Sequence, residues 1–261
     1  MHPIFFQIGN LTIRWYGVMA ALGFMAATII ISANRKYAKM SSDQATTLVF
    51  TCVISGILGA RIFYVWDNWS QQFSGHLMEI FRIDHGGLVF YGGFFLALIA
   101  IIVLCKINKL DIVRVMDVTA PALAAGHALG RIGCFLNGCC FGKPSSCLFA
   151  IHYPEGSVPY GRYGSLALHP VQLYESSANI LLFIFLFFLV RKTSRGVTMA
   201  TYILIYGVLR FADEFFRGDY TDLIADVLTQ AQAIGLVLIP VGIILLVYFT
   251  KYANKTDKTI N

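Results

Sequence analysis

Seven mostly apolar runs, each near the length of a bilayer-spanning helix, leave this chain few folds to choose from. A helix needs about 20 such residues to cross a hydrocarbon core. The runs fall at 14–32, 45–66, 87–105, 115–136, 170–190, 197–215 and 231–250; the fourth and sixth contain arginine. Only 13% of residues are charged and 57% are hydrophobic. A soluble domain carries roughly 25% charged residues, so the apolar excess here must face lipid. The expected fold is an all-α membrane protein of about seven transmembrane helices, a single polytopic domain over 1–261. No internal repeat is visible, which weighs against an inverted-repeat transporter.

The short connections orient the helices. Arg35, Lys36 and Lys39 follow the first run, and Lys106, Lys109 and Arg114 the third. Arg191, Lys192 and Arg195 follow the fifth, and Lys251, Lys255 and Lys258 the seventh. Twelve of the twenty basic residues thus share one side. The positive-inside rule makes that side cytoplasmic, with the N-terminus extracytoplasmic and the C-terminus cytoplasmic. The first dozen residues lack a basic n-region and a small-residue cleavage site, so the first run is expected to act as an uncleaved anchor. The net charge of +6 lies in these short clusters rather than on one basic face, which argues against a nucleic-acid partner. Residues 67–86 carry Trp69 and Phe73, suited to a membrane interface. Residues 137–169, with three prolines and several Gly and Tyr, are expected to form a small extracytoplasmic cap.

The remaining basic residues are Arg14, Arg61, Arg82, Arg131, Lys143, Arg162, Arg210 and Arg217. Topology disfavours them on the outer side or within spans, so they need another explanation. An arginine near the bilayer centre costs about 2.5 kcal/mol or far more, and usually faces a cavity, a partner or an anion. Its planar guanidinium suits phosphate, to which it donates two parallel hydrogen bonds. Snorkelling to the interface, or pairing with a neighbour such as Glu214, is the plainer reading. Arg61, Arg131 and Arg210 all on the outer half favour an anion site. Glu214 lies four residues after Arg210 and so shares its helix face.

Three further segments stand out. His85-Gly-Gly-Leu-Val-Phe-Tyr91-Gly92-Gly opens the third run; its paired glycines allow close helix packing or leave room for a substrate. His169-Pro-Val-Gln-Leu-Tyr-Glu175 opens the fifth, where Pro170 suits a first helical turn and Glu175 a helix dipole. Cys134, Cys139, Cys140 and Cys147 are spaced C-x4-C-C-x6-C rather than in paired C-x2-C elements, which speaks against zinc. A disulfide is open to an extracytoplasmic segment, and packing is the expected role of Cys134. Cys52 and Cys105 sit in apolar runs as small hydrophobes.

The chain resembles the prolipoprotein diacylglyceryl transferase family over nearly its whole length. The resemblance is carried by Arg14-Trp-Tyr-Gly17, Gly59-Ala-Arg61, Gly86-Gly-Leu-Val-Phe-Tyr-Gly-Gly93 and Gly130-Arg-Ile-Gly133 through Asn137-Gly138. His169-Pro-Val-Gln-Leu-Tyr-Glu175 and Tyr206-Gly-Val-Leu-Arg210 with Glu214-Phe-Phe-Arg217 complete it. It implies a multi-pass protein of the bacterial inner membrane. The implied reaction transfers diacylglyceryl from phosphatidylglycerol to the lipobox cysteine of a preprolipoprotein, forming a thioether and releasing glycerol 1-phosphate. It also implies that Arg131 binds phosphatidylglycerol, with Tyr16, Arg61, Asn137 and Gly92 as further substrate-binding residues. Arg210, Tyr91, Glu214 and Tyr206 are the implied catalytic set, and neither cofactor nor metal is called for. The sequence departs from the better-studied proteobacterial form, which has histidine at Tyr91, asparagine at Cys134 and glutamate at Cys139. That histidine has been proposed as a base; a tyrosine, with a reference pKa of about 10, is a poor one. The outer-side histidines are His76, His85, His127, His152 and His169. The competing classes are an anion transporter or channel using the same arginines, and a non-catalytic lipid-binding protein.

Overall fold

A computed structural model of the chain describes residues 3–9, 11–82, 86–219 and 228–253; His85, Lys255 and Lys258 lie outside them. The chain divides into two compact units, Met1–Tyr37 with Met116–Asn261, and Ala38–Val115.

The first unit opens on a hairpin that the hydropathy reading did not expect. Strands β1 (Ile4–Ile8) and β2 (Leu11–Arg14) pair antiparallel, with Phe6 opposite Ile13 and Ile8 opposite Leu11. Both are rich in Ile, Phe and Thr, and Gly9 between them takes a φ of 55° that few other residues tolerate. Helix α1 (Trp15–Asn34) follows directly. The second unit holds α2 (Ser42–Asp67) and α3 (Phe90–Ile107). A capping box starts α2, where the Ser41 hydroxyl accepts from the Gln44 amide and the Gln44 side chain returns the bond. Gly59 and Gly92 face one another, and a Cβ on either would run into the other's backbone carbonyl. The paired glycines therefore serve close packing of α2 on α3.

The first unit continues through α4 (Ile112–Asn137), the short α5 (Val158–Tyr163), α6 (Val171–Leu189), α7 (Val197–Asp213) and α8 (Gln230–Tyr248). Gly126 of α4 lies against Gly23 of α1. Ala120 and Ala124 of α4, Leu182 and Leu186 of α6, and Met199 of α7 form a shared apolar core. The Asp117 carboxylate accepts from the Gly196 amide at 2.6 Å and the Met199 amide at 2.9 Å. A side chain of α4 thus satisfies amides that the start of α7 leaves open. Helices α7 and α8 meet through Gly207, Gly235 and Gly242. Between α4 and α6, Phe141, Tyr153 and Leu168 make a small core of their own.

Among the described residues, six helices are long and apolar enough to cross a membrane: Trp15–Ala38, Ser42–Asp67, Phe90–Ile107, Ile112–Asn137, Val171–Leu189 and Gln230–Lys251. The protein is a multi-span helical membrane protein. Helix α7, which answers to the sixth expected span, has 17 residues and carries Arg210 and Asp213 in its last turn. It stands at the lower edge of the roughly 17–25 residues a span needs.

Replacing Gly92 by leucine is expected to destabilise the α2–α3 pair by about 1–3 kcal/mol, the usual range for overpacking. Thermal unfolding in detergent should show a lower midpoint for Gly92→Leu. Gly56→Ala, where a Cβ meets nothing within 4 Å, should leave it unchanged.

Candidate active site

The inward face of α6 begins polar and turns apolar. Gln172, Glu175, Ser176 and Asn179 are buried at helical spacing, followed by Leu182 and Leu186. Each polar member has a partner. The Gln172 amide donates to the Cys139 carbonyl at 2.8 Å, the Ser176 hydroxyl to the Ala128 carbonyl at 3.0 Å, and the Asn179 amide to the Glu175 carbonyl at 2.8 Å.

Glu175, 2% exposed, is the centre of this row. It forms an ion pair with Arg131 of α4, and its other oxygen lies 3.4 Å from the Arg210 guanidinium of α7. The sequence suggests an acid early enough in its helix to serve the helix dipole. The structure places Glu175 beyond the first turn, because the buried stripe aims it at the two arginines. Arg210 also meets Glu214 at 2.9 Å, as their spacing expects, and the Thr229 hydroxyl donates to the other Glu214 oxygen. Two guanidiniums and two carboxylates so neutralise one another across three helices. Arg131 Nε also donates to His127 Nε2 at 3.1 Å, and the His127 ring lies 5.4 Å from that of Tyr206. His127 is therefore the acceptor at Nε2.

Around this centre lie Tyr16, Asn137 and a group of cysteines. A Cβ on Gly133 of α4 would touch the Tyr16 ring and backbone. The Tyr16 hydroxyl is within electrostatic reach of Arg131 and of the Cys134, Cys139 and Cys140 thiols. Asn137 closes α4 within reach of the Cys139 thiol. The three sulfurs of Cys134, Cys139 and Cys140 all lie within 4.8 Å of one another. Hydrogen bonds from Cys134 and Cys139 pull the Cys140 thiol well below the usual range. The spacing had pointed to packing for Cys134; two positive φ angles, 77° at Gly138 and 62° at Cys140, fold the segment back so that the thiols converge. Burial alone would lower the Arg217 guanidinium, but a two-pronged bond to Asp219, at 3.0 and 2.7 Å, holds it up. Arg217 is close enough to Cys140 to act on its charge. His169 lies beside Tyr174, with 3.3 Å between ring nitrogen and hydroxyl.

The second unit holds the other expected residues. Arg61 is buried, and its guanidinium donates to the backbone carbonyls of Glu79, Ile80, Arg82, Gly86 and Gly87. It secures the connection between α2 and α3. Gly92 faces Gly59, and Tyr91 is half exposed at the first turn of α3, edge-on to Phe90. The residues that sequence reasoning undervalued are Glu175, His127 and Cys140. Glu175 left a signal, a carboxylate set inside an otherwise apolar run.

A helical membrane protein that gathers two guanidiniums on one buried carboxylate has donors chemically suited to an anion. Residues 3–248 match the prolipoprotein diacylglyceryl transferase family. The chain is similar to the phosphatidylglycerol–prolipoprotein diacylglyceryl transferase of Pseudoalteromonas translucida, 36% identical over 265 residues, covering 98% of this chain and 95% of that one. It is also similar to that of Clostridium tetani, 33% identical with 93% and 96% covered, and to that of Clostridium botulinum, 34% identical with 99% of each covered. The chain belongs to the prolipoprotein diacylglyceryl transferase family.

Glu175→Ala leaves two buried guanidiniums short of their shared anion. Breaking a buried pair from one side costs about 3–5 kcal/mol, so the variant's thermal midpoint in detergent should fall by several degrees. Added phosphatidylglycerol should restore more of it than an equal amount of a zwitterionic lipid.

Proposed function

We propose that this protein transfers the diacylglyceryl group of phosphatidylglycerol to the lipobox cysteine of preprolipoprotein signal peptides, forming a thioether and releasing glycerol 1-phosphate. The observation that carries this is the convergence of Arg131 and Arg210 on Glu175, in a chain matched to the family over residues 3–248. The protein works as one polytopic unit of seven spans in a bacterial inner membrane. Its N-terminus and the 137–169 segment lie outside and its C-terminus inside, as the basic connections require.

The reaction alkylates a thiol at an sp3 carbon. Sulfur attacks the glycerol carbon bonded to the phosphate ester oxygen, and that carbon–oxygen bond breaks. Negative charge then grows on the departing phosphate monoester. Arg131 and Arg210 take the lipid phosphate in place of part of their contact with Glu175, and hold it as it leaves. Preorganised donors of this kind act strongly in a site shielded from water. Glu214 and Thr229 keep Arg210 aimed, while Tyr206 and His127 flank Arg131. Tyr16 and Asn137 line the headgroup position. In the second unit Arg61 shapes the 79–87 connection, Gly92 keeps α2 and α3 close, and Tyr91 positions substrate through its hydroxyl. A free thiol has a pKa of about 8.5 and is mostly protonated at neutral pH, so the site must also favour the thiolate.

Incubating the purified protein with phosphatidylglycerol and a lipobox peptide should add one diacylglyceryl mass to the cysteine and release glycerol phosphate. Uptake of a labelled anion into proteoliposomes without lipid consumption would instead indicate a transporter. Arg131→Ala and Arg210→Ala should each cut the rate about 10²–10³-fold, the usual loss of a transition-state donor, while still inserting; normal lipidation by Arg131→Ala removes it from this role. Tyr91→Phe is expected to slow the reaction. A wild-type rate would take its hydroxyl out of the mechanism.

A further inference from the structure

The thiols of Cys134, Cys139 and Cys140 are not absorbed by the phosphate chemistry above. All three are free and partly buried, with sulfurs within 4.8 Å of one another. Ligands around a tetrahedral zinc at about 2.3 Å per bond stand roughly 3.8 Å apart, so the cluster needs only a small contraction to close on one. The backbone is committed to this arrangement. The Cys139 amide donates to the Cys134 carbonyl at 3.1 Å, and fully buried Gln172 fixes the Cys139 carbonyl at 2.8 Å. Cys140 takes a φ of 62°, an uncommon conformation for a residue with a side chain. Such departures persist where the surroundings enforce them, often at functional sites.

We infer that Cys134, Cys139 and Cys140 form a three-thiolate site for a thiophilic divalent cation, zinc being the natural occupant, whose fourth position takes the lipobox cysteine. Sites with three protein ligands and one open position are the catalytic kind, whereas structural zinc sites are closed. The fourth ligand rests on the transferase reading, which brings a thiol as nucleophile. The site also supplies what a tyrosine at position 91 does not, since a metal-bound thiol is deprotonated outright.

The step balances. On binding, the lipobox thiol releases its proton to water and its sulfur occupies the fourth position. A sulfur electron pair forms the bond to the glycerol carbon, the carbon–phosphate oxygen bond breaks, and its electrons leave with glycerol 1-phosphate. The neutral thioether is a weak ligand and departs, water refills the position, and the metal keeps its oxidation state.

Cobalt(II), added to the purified full-length protein under reducing conditions, tests this. Thiolate-to-cobalt charge transfer and strong visible bands of tetrahedral cobalt are expected. They should be lost in Cys134→Ser, Cys139→Ser and Cys140→Ser and kept in Cys147→Ser. A lipobox peptide should shift the bands, and the same peptide with serine for cysteine should not. Stripping zinc with a chelator should lower lipidation at least tenfold, with recovery on adding zinc. No tetrahedral cobalt spectrum in the wild-type protein overturns the site, and this result needs no variant to fold. Bands indifferent to the peptide, or a wild-type rate after stripping and in all three variants, overturn the fourth ligand while the transferase reading stands. Zinc-loaded protein that forms no thioether at all overturns the transferase reading, and the fourth ligand with it.

Discussion

The larger unit is arranged around a carboxylate almost wholly withdrawn from the surface. Glu175 gives Arg131 and Arg210 a carboxylate partner where a lone arginine would be costly. It does so from a third helix, so its charge is also a positional restraint on α4, α6 and α7. A second restraint lies 14 residues back along α4, about 21 Å at 1.5 Å per residue, where Asp117 holds the start of α7. Helix α4 is therefore fixed at two separated levels. The alanines between them need only fill space, which is what Ala120 and Ala124 do.

The same residue type serves two different ends in this chain. Arg61 spends its donors on five carbonyls of its own connection and becomes part of the scaffold. Arg131 and Arg210 are held by carboxylates, which an incoming phosphate can replace in kind. Carbonyl bonds of that sort belong to the fold, whereas in the proposed mechanism the carboxylate pairs are exchanged for substrate. In the same unit sit the three thiols of Cys134, Cys139 and Cys140. On the proposed reading, the two chemistries that the reaction joins, phosphate and thiol, both find suited side chains there.

Spans were legible in the sequence because hydropathy is a local property. The run at 45–66 became Ser42–Asp67 and that at 231–250 became Gln230–Tyr248. The Arg210–Glu214 pair was legible for the same reason, as neighbours on one helix face. What escaped depended on partners distant in sequence. Nothing near Glu175 reveals that Arg131 and Arg210 will converge on it, and nothing near Arg61 names the carbonyls it will satisfy. The hairpin was missed because four or five residues carry too short a pattern beside a long apolar run. The converging cysteines were missed because their spacing resembles no standard motif; only left-handed turns at Gly138 and Cys140 bring the sulfurs together.

One modest feature bears on how the molecule is made. The strand-like stretch after α4 is closed by residues from beyond α7: the Lys143 amide donates to the Phe216 carbonyl and the Gly218 amide to the Phe141 carbonyl. A Cβ on Gly218 would run into the Gly142 carbonyl, and one on Gly142 into the carbonyl of His169. On the ribosome the first of these partners emerges about 75 residues before the second, a gap of roughly 4–15 s at 5–20 residues per second. Over that interval the three cysteines have been synthesised but Arg217 has not. The nascent chain therefore carries its thiols before it carries the charge that will stand beside them, and maturation of the site must wait for the last third of the polypeptide.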